Sequence, residues 1–97
     1  MKNNWMKFKA GETAFYTDYD GAGRFRSLEI TIISIGSEGQ YLIRFNQSDI
    51  DHNIINIDHN ISYLKSWPPN CCEVMDCYLF RRKMTEEEIP KVYPYFN

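Results

Sequence analysis

Phe25-Arg-Ser-Leu-Glu-Ile-Thr-Ile-Ile-Ser-Ile-Gly-Ser-Glu-Gly-Gln-Tyr-Leu-Ile-Arg-Phe45 is the stretch that decides the fold. Leu28, Ile30 and Ile32 alternate with Ser27, Glu29 and Thr31, the two-residue period of a strand with one buried face. At Ile32-Ile33 the phase breaks, and Ile33 and Ile35 continue apolar on the opposite parity. A β-bulge at that point lets one long strand serve two parts of a curved sheet. Gly36-Ser37-Glu38-Gly39 supplies glycines for a tight turn, and Tyr41, Ile43 and Phe45 return on a second alternating strand. The stretch therefore predicts a bent hairpin.

Upstream, residues 12–17 are rich in β-branched and aromatic side chains and predict a further strand. Asp18 to Gly23, with two aspartates and two glycines, reads as the loop after it. Downstream, residues 46–53 form a polar stretch expected as a second hairpin loop, with residues 54–57 pairing back as a short strand. One helical turn fits residues 61–65. Trp67-Pro68-Pro69-Asn70 stops any regular element, because proline fixes φ and restricts the residue before it. Residues 74–80 predict another strand. Thr85-Glu86-Glu87-Glu88 is a capping box, with carboxylates at the positive end of a helix expected over residues 86–95. Pro90 keeps that helix short or irregular.

With 97 residues the chain suits one domain, divided by this pattern into a core at residues 6–66 and a strand and helix at residues 67–97. An apolar fraction of 43% argues against disorder, and 15% aromatic residues implies a small core filled by rings. A net charge of −2 gives no overall positive field to attract nucleic acid or an acidic membrane. No long apolar run occurs, and residues 1–10 lack the apolar stretch of a signal peptide, so a cytoplasmic protein is expected. Cys71, Cys72 and Cys77 are odd in number, which fits reduced thiols. Plentiful Asn, Ile, Lys and Tyr suit an AT-rich genome, such as that of a low-GC bacterium or its phages.

The order Phe8-Lys9-Ala10-Gly11-Glu12, strand, glycine loop, long bent strand, glycine turn and Gln40-Tyr41-Leu42-Ile43-Arg44-Phe45 resembles the SH3-like small barrels of the KOW and Tudor type. The resemblance covers roughly residues 6–66 and is one of hydrophobic pattern and loop placement. The strand followed by a capped helix at the end looks like small bacterial and phage proteins. Together these imply a mainly β fold, an SH3-like barrel of about five strands with a short C-terminal helix. The resemblance further implies a ligand surface on the loops after the first and third strands, which here hold Tyr19 and Phe25, and Asp49 and Asp51.

Several constellations invite a chemical reading. Asp18, Asp20, Gly23 and Glu29 fall on the first, third, sixth and twelfth positions of a calcium-binding loop, but the fifth is Ala22 and both flanks read as strands. Asp51-His52-Asn53-Ile54 recurs as Asp58-His59-Asn60-Ile61, yet Cys71-Cys72 and Cys77 lack the paired spacing of a zinc site. Asp58-His59 opens an HNH-like nuclease pattern that nothing downstream completes, and the zinc deaminase spacing is missing. No metal, no cofactor and no enzymatic reaction is expected.

Basic residues lie in two groups: Lys2, Lys7, Lys9, Arg24 and Arg26, then Arg81, Arg82 and Lys83. Were they to meet beside Trp5 or Phe25, they would form a patch for single-stranded nucleic acid, which is the first alternative function; a metal-dependent enzyme using His52, His59 and the cysteines is the second. The leading expectation is a non-catalytic protein-recognition module. Its partner-binding residues are Asp18, Tyr19, Asp20, Phe25, Asp49, Asp51 and Trp67, with Asp58 extending an acidic rim that steers a basic protein surface. A small phage-encoded inhibitor of a bacterial defence protein fits that profile, and an exposed strand edge allows two copies to pair.

Overall fold

A computed structural model describes residues 7–37, 39–56 and 68–88. Within them the protein is mainly β, with five antiparallel strands: β1 Thr13–Tyr19, β2 Phe25–Ile35, β3 Gln40–Phe45, β4 Cys71–Met75 and β5 Leu79–Phe80. They form one sheet in the order β4-β3-β2-β1-β5. The predicted bent hairpin is present. Ile32 of β2 faces Ile43, but Ser34 faces Leu42, so the register slips by one residue at Ile33. That slip sets Ile35 opposite Tyr41. β2 is thus shared: its first part pairs with β1, from Phe25 to Thr31, and its last part with β3, from Ile30 to Ile35.

Three expectations need correction. Residues 46–53 are not a hairpin loop: a short helix α1, Gln47–Asp51, follows β3, and Asn53 at φ 59° ends it in the left-handed conformation that asparagine tolerates. Ile54 and Ile55 form no strand; their amides bond to the Asp49 carbonyl, folding the chain back onto α1. Residues 74–80 are broken by a 3-10 turn, Asp76–Tyr78, between β4 and β5. The capping box does start a 3-10 turn, Glu86–Glu88, with the Glu88 carboxylate accepting the Thr85 amide at 2.8 Å. The remainder of that predicted helix and the predicted turn at 61–65 lie outside the described residues.

The sheet does not close into the expected barrel, but it curls. β4 and β5 are its two outermost strands, yet only Asp76–Tyr78 joins them. A 3-10 turn rises ~2 Å per residue, so the opposite edges come within roughly 10 Å at that end. Residues after Pro68 thus supply both outer strands.

Ala14, Ile30, Ile32, Tyr41, Ile43 and Phe45 meet on the inner face, with Phe8, Ile55 and Leu79 packed against them. Tyr41 is fully buried and its hydroxyl accepts the Lys7 and Phe8 amides at 2.6 and 3.1 Å, which fixes where the chain enters the sheet. On the outer face Met84 is buried against Tyr19, Phe25, Cys77 and Phe80. The Met84 amide donates to Ser27 Oγ, itself 2.8 Å from Thr17 Oγ1, so a buried polar pair anchors the segment after β5. No helix among the described residues is long and apolar enough to cross a membrane.

Candidate functional site

Strand alternation puts Tyr16 and Asp18 on one face of β1, opposite Leu28 and Arg26. Asp18 is only 9% exposed, and Arg26 grips it through Nε at 2.6 Å and Nη2 at 3.1 Å. The Tyr16 hydroxyl donates to Asp18 Oδ2 at 2.7 Å, while Arg26 Nη1 donates to the Ile54 carbonyl at 2.6 Å. This chain of bonds ties β1, β2 and the segment after α1 together. Burial first, and then the bond to Asp18, push the Tyr16 hydroxyl well above the usual tyrosine range. The Arg26 guanidinium is held charged chiefly by its bonds to Asp18.

Two members of the expected acidic rim, Asp18 and Asp20, are each engaged by an arginine. Asp18 is neutralised by Arg26, and Asp20 accepts the amides of Ala22 and Arg24 and the Arg24 Nε, which makes it the organiser of its own loop. The backbone bond from Arg24 leads the causes that hold its carboxyl low. Tyr19 and Phe25 meet edge to face at 5.7 Å, but over Met84 on the outer face. Asp49 and Asp51 belong to α1, where Asp51 accepts Gln47 Nε2 at 2.8 Å. Trp67, Asp58, His59 and Trp5 lie outside the described residues.

Among the described residues, the side chains named in the metal readings are not brought together around one point. Asp18 and Asp20 are engaged by arginines, Glu29 is an exposed strand residue, and the His52 ring lies against the Ser48 carbonyl. No group of three His, Cys, Asp or Glu among the described residues is placed to hold a metal ion. Burial raises the Cys71 thiol and pushes Cys72 up to about 11, so neither is an activated nucleophile.

The two basic groups do meet in part. Arg81 donates to the Lys7 carbonyl and lies 4.8 Å from the Phe8 ring centre, and Lys7 Nζ donates to the carbonyls of Asp76 and Leu79. Phe8 is 3% exposed, however, and has no face for a nucleobase.

A different surface emerges where the curled sheet fails to close. Tyr16, Asp18 and Tyr19 on β1 face Glu73, Val74 and Met75 on β4, with Tyr78 between them, around a cleft of ≈ 580 Å³. Tyr16 and Tyr78 approach to 6.0 Å between ring centres, at 41°. The lining carries two carboxylates and no cation, and Met75 is 52% exposed. The sequence reading included Asp18 and Tyr19 but missed Tyr16, Glu73, Val74, Met75 and Tyr78. Alternation along β1 was a signal for Tyr16; the other four depend on the turn that carries β4 round to β5. Comparison with known proteins returns no matching family model, no matching curated protein and no matching solved structure.

Proposed function

We propose that the chain is a non-catalytic protein-recognition module whose contact surface is the open seam between β1 and β4. The observation that carries this reading is the lining: three tyrosines, Val74 and a half-exposed Met75 beside Glu73 and Asp18, with no basic side chain. Aromatic and methionine side chains provide adaptable apolar contact. Glu73, which makes no ion pair among the described residues, selects for a basic neighbour. An SH3-like identity is supported by the strand order, in which β5 returns beside β1 after a 3-10 turn. Use as a phage-borne inhibitor of a bacterial defence protein rests on size, acidity and composition. A cytoplasmic location rests on three free cysteines.

A pull-down with tagged protein from native-host lysate, with and without nuclease, tests the reading. One partner is expected to survive nuclease, to be lost with Tyr78→Ala and with Met75→Glu, and to be kept with Arg81→Glu. Retention by both cleft variants, or loss with nuclease, overturns it; the latter outcome selects nucleic-acid binding at the basic end.

A further inference from the structure

We infer that the seam binds its partner by strand addition to the outer edge of β4, an inference that rests on the recognition reading above and specifies its geometry. The Phe45 amide donates to the Asn70 carbonyl at 2.9 Å, and the Asp76 amide to the Gly39 carbonyl at 2.8 Å. These two bonds set the phase of the ladder. In an antiparallel pair, bonded and non-bonded positions alternate, so Cys72 opposite Ile43 and Val74 opposite Tyr41 turn their amides and carbonyls toward β3. Cys71, Glu73 and Met75 turn theirs away. Among the described residues, no strand pairs with that side of β4. Cys71 and Glu73 each present one donor and one acceptor in line along the edge, and Met75 presents its amide, its carbonyl being taken by the 3-10 turn it caps; this is the template that strand-adding peptides use.

The side chains define the occupant. Val74 on the inner face lies beside Tyr16 and Tyr78, while Glu73 and Met75 alternate with it on the other face. The matching ligand is an extended segment of a partner protein, with apolar residues toward Tyr16, Val74 and Tyr78 alternating with basic residues toward Glu73. A second copy of this chain is a poorer occupant. Full overlap of two antiparallel β4 strands centres on Glu73 and places that carboxylate against its own copy.

The test uses the full chain and an end-blocked seven-residue peptide of alternating lysine and valine, followed by hydrogen exchange of the individual β4 amides. In the free protein the Cys72 and Val74 amides exchange slowly and those of Cys71, Glu73 and Met75 exchange fast. Saturating peptide, with a Kd of about 1 mM or tighter, is expected to slow the latter three about tenfold or more. Glu73→Pro removes an amide the β3 ladder does not use and obstructs the edge, so it is expected to keep the fold and abolish this protection. Glu73→Gln, which keeps the amide, is expected to retain protection with weaker binding. Binding that shifts Tyr16 and Tyr78 resonances while the three edge amides stay fast overturns strand addition and leaves the cleft reading standing. Failure of the peptide to bind overturns the cleft reading itself. Concentration-dependent protection of the same amides without peptide overturns the choice of occupant in favour of a second copy.

Discussion

Replacing Asp18 by asparagine removes the acceptor charge from beneath Arg26 while leaving the side-chain volume almost unchanged. The guanidinium then stays in the fold, still bonded to the Ile54 carbonyl, with no counter-charge. Breaking one side of a buried ion pair costs ~3–5 kcal/mol, but the two side chains here keep 18% and 12% of their surface, so water screens part of that cost. An expected loss of about 2–3 kcal/mol remains, and at ~4–8 °C per kcal/mol for a domain of this size the melting temperature falls by roughly 10–20 °C. Urea unfolding followed by tyrosine and tryptophan fluorescence measures the loss. Adding Arg26→Met to Asp18→Asn is expected to recover about half of it, because the stranded charge is gone. A loss below about 0.5 kcal/mol in the single variant refutes the reasoning, since Asp18 then behaves as a surface carboxylate available to a ligand.

Cys72 is pushed up to about 11 by burial, so it is expected to resist iodoacetamide at pH 8 in the folded protein and to react once the chain is unfolded. Because its folded value lies above the ordinary thiol value of 9.0, its contribution to stability is complete below pH 9 and is lost between about pH 9 and 11; equal stability of wild type and Cys72→Ala at both pH values counts against this. Glu88, held by Arg82 first and by Thr85, is expected to titrate near pH 2 in carboxyl-detected NMR, so the clamp is kept above the ordinary carboxylate value of 4.5 and lost as pH falls toward 2. A midpoint near 4.5 denies the clamp. Gly39→Ala is expected to cost ~1–2 kcal/mol because its φ is +83°, whereas Gly36→Ala asks only the flexible end of Glu73, 2.5 Å from the new Cβ, to move; thermal unfolding that ranks the two the other way refutes this.

Much of the sheet was legible because its signals are local. The broken alternation at Ile32-Ile33 marked the slip that the β2–β3 register shows, and the capping box marked the turn at Glu86. Helix α1 was hidden because Asn46, its N-cap, makes no side-chain cap bond and instead donates to the Glu29 carbonyl. The 3-10 break at Asp76–Tyr78 interrupts a run that reads as a continuous strand. At the site, Asp18 and Arg26 lie on opposite sides of one glycine loop, and a symmetric hairpin register foretells their pairing. The seam was not legible. It depends on β4 and β5 reaching opposite edges of the sheet, and no local pattern encodes that placement.

The return of β5 to β1 also makes the fold a loop fastened by a latch. β1, β2 and β3 pair through short hairpins, but Lys7 and Leu79, which close the far side, are 72 residues apart in sequence. Closing so long a loop is entropically slow, and a strand of only two residues gives little in return, so this contact forms late and opens first. An unlatched molecule bares the second edge of β1 while keeping the edge of β4. Two free edges on one sheet turn a monomer into a unit that can add neighbours on both sides. Colloidal stability of this protein is therefore governed by Lys7, Arg81 and Met84, which hold the latch shut, more than by the sheet's central strands.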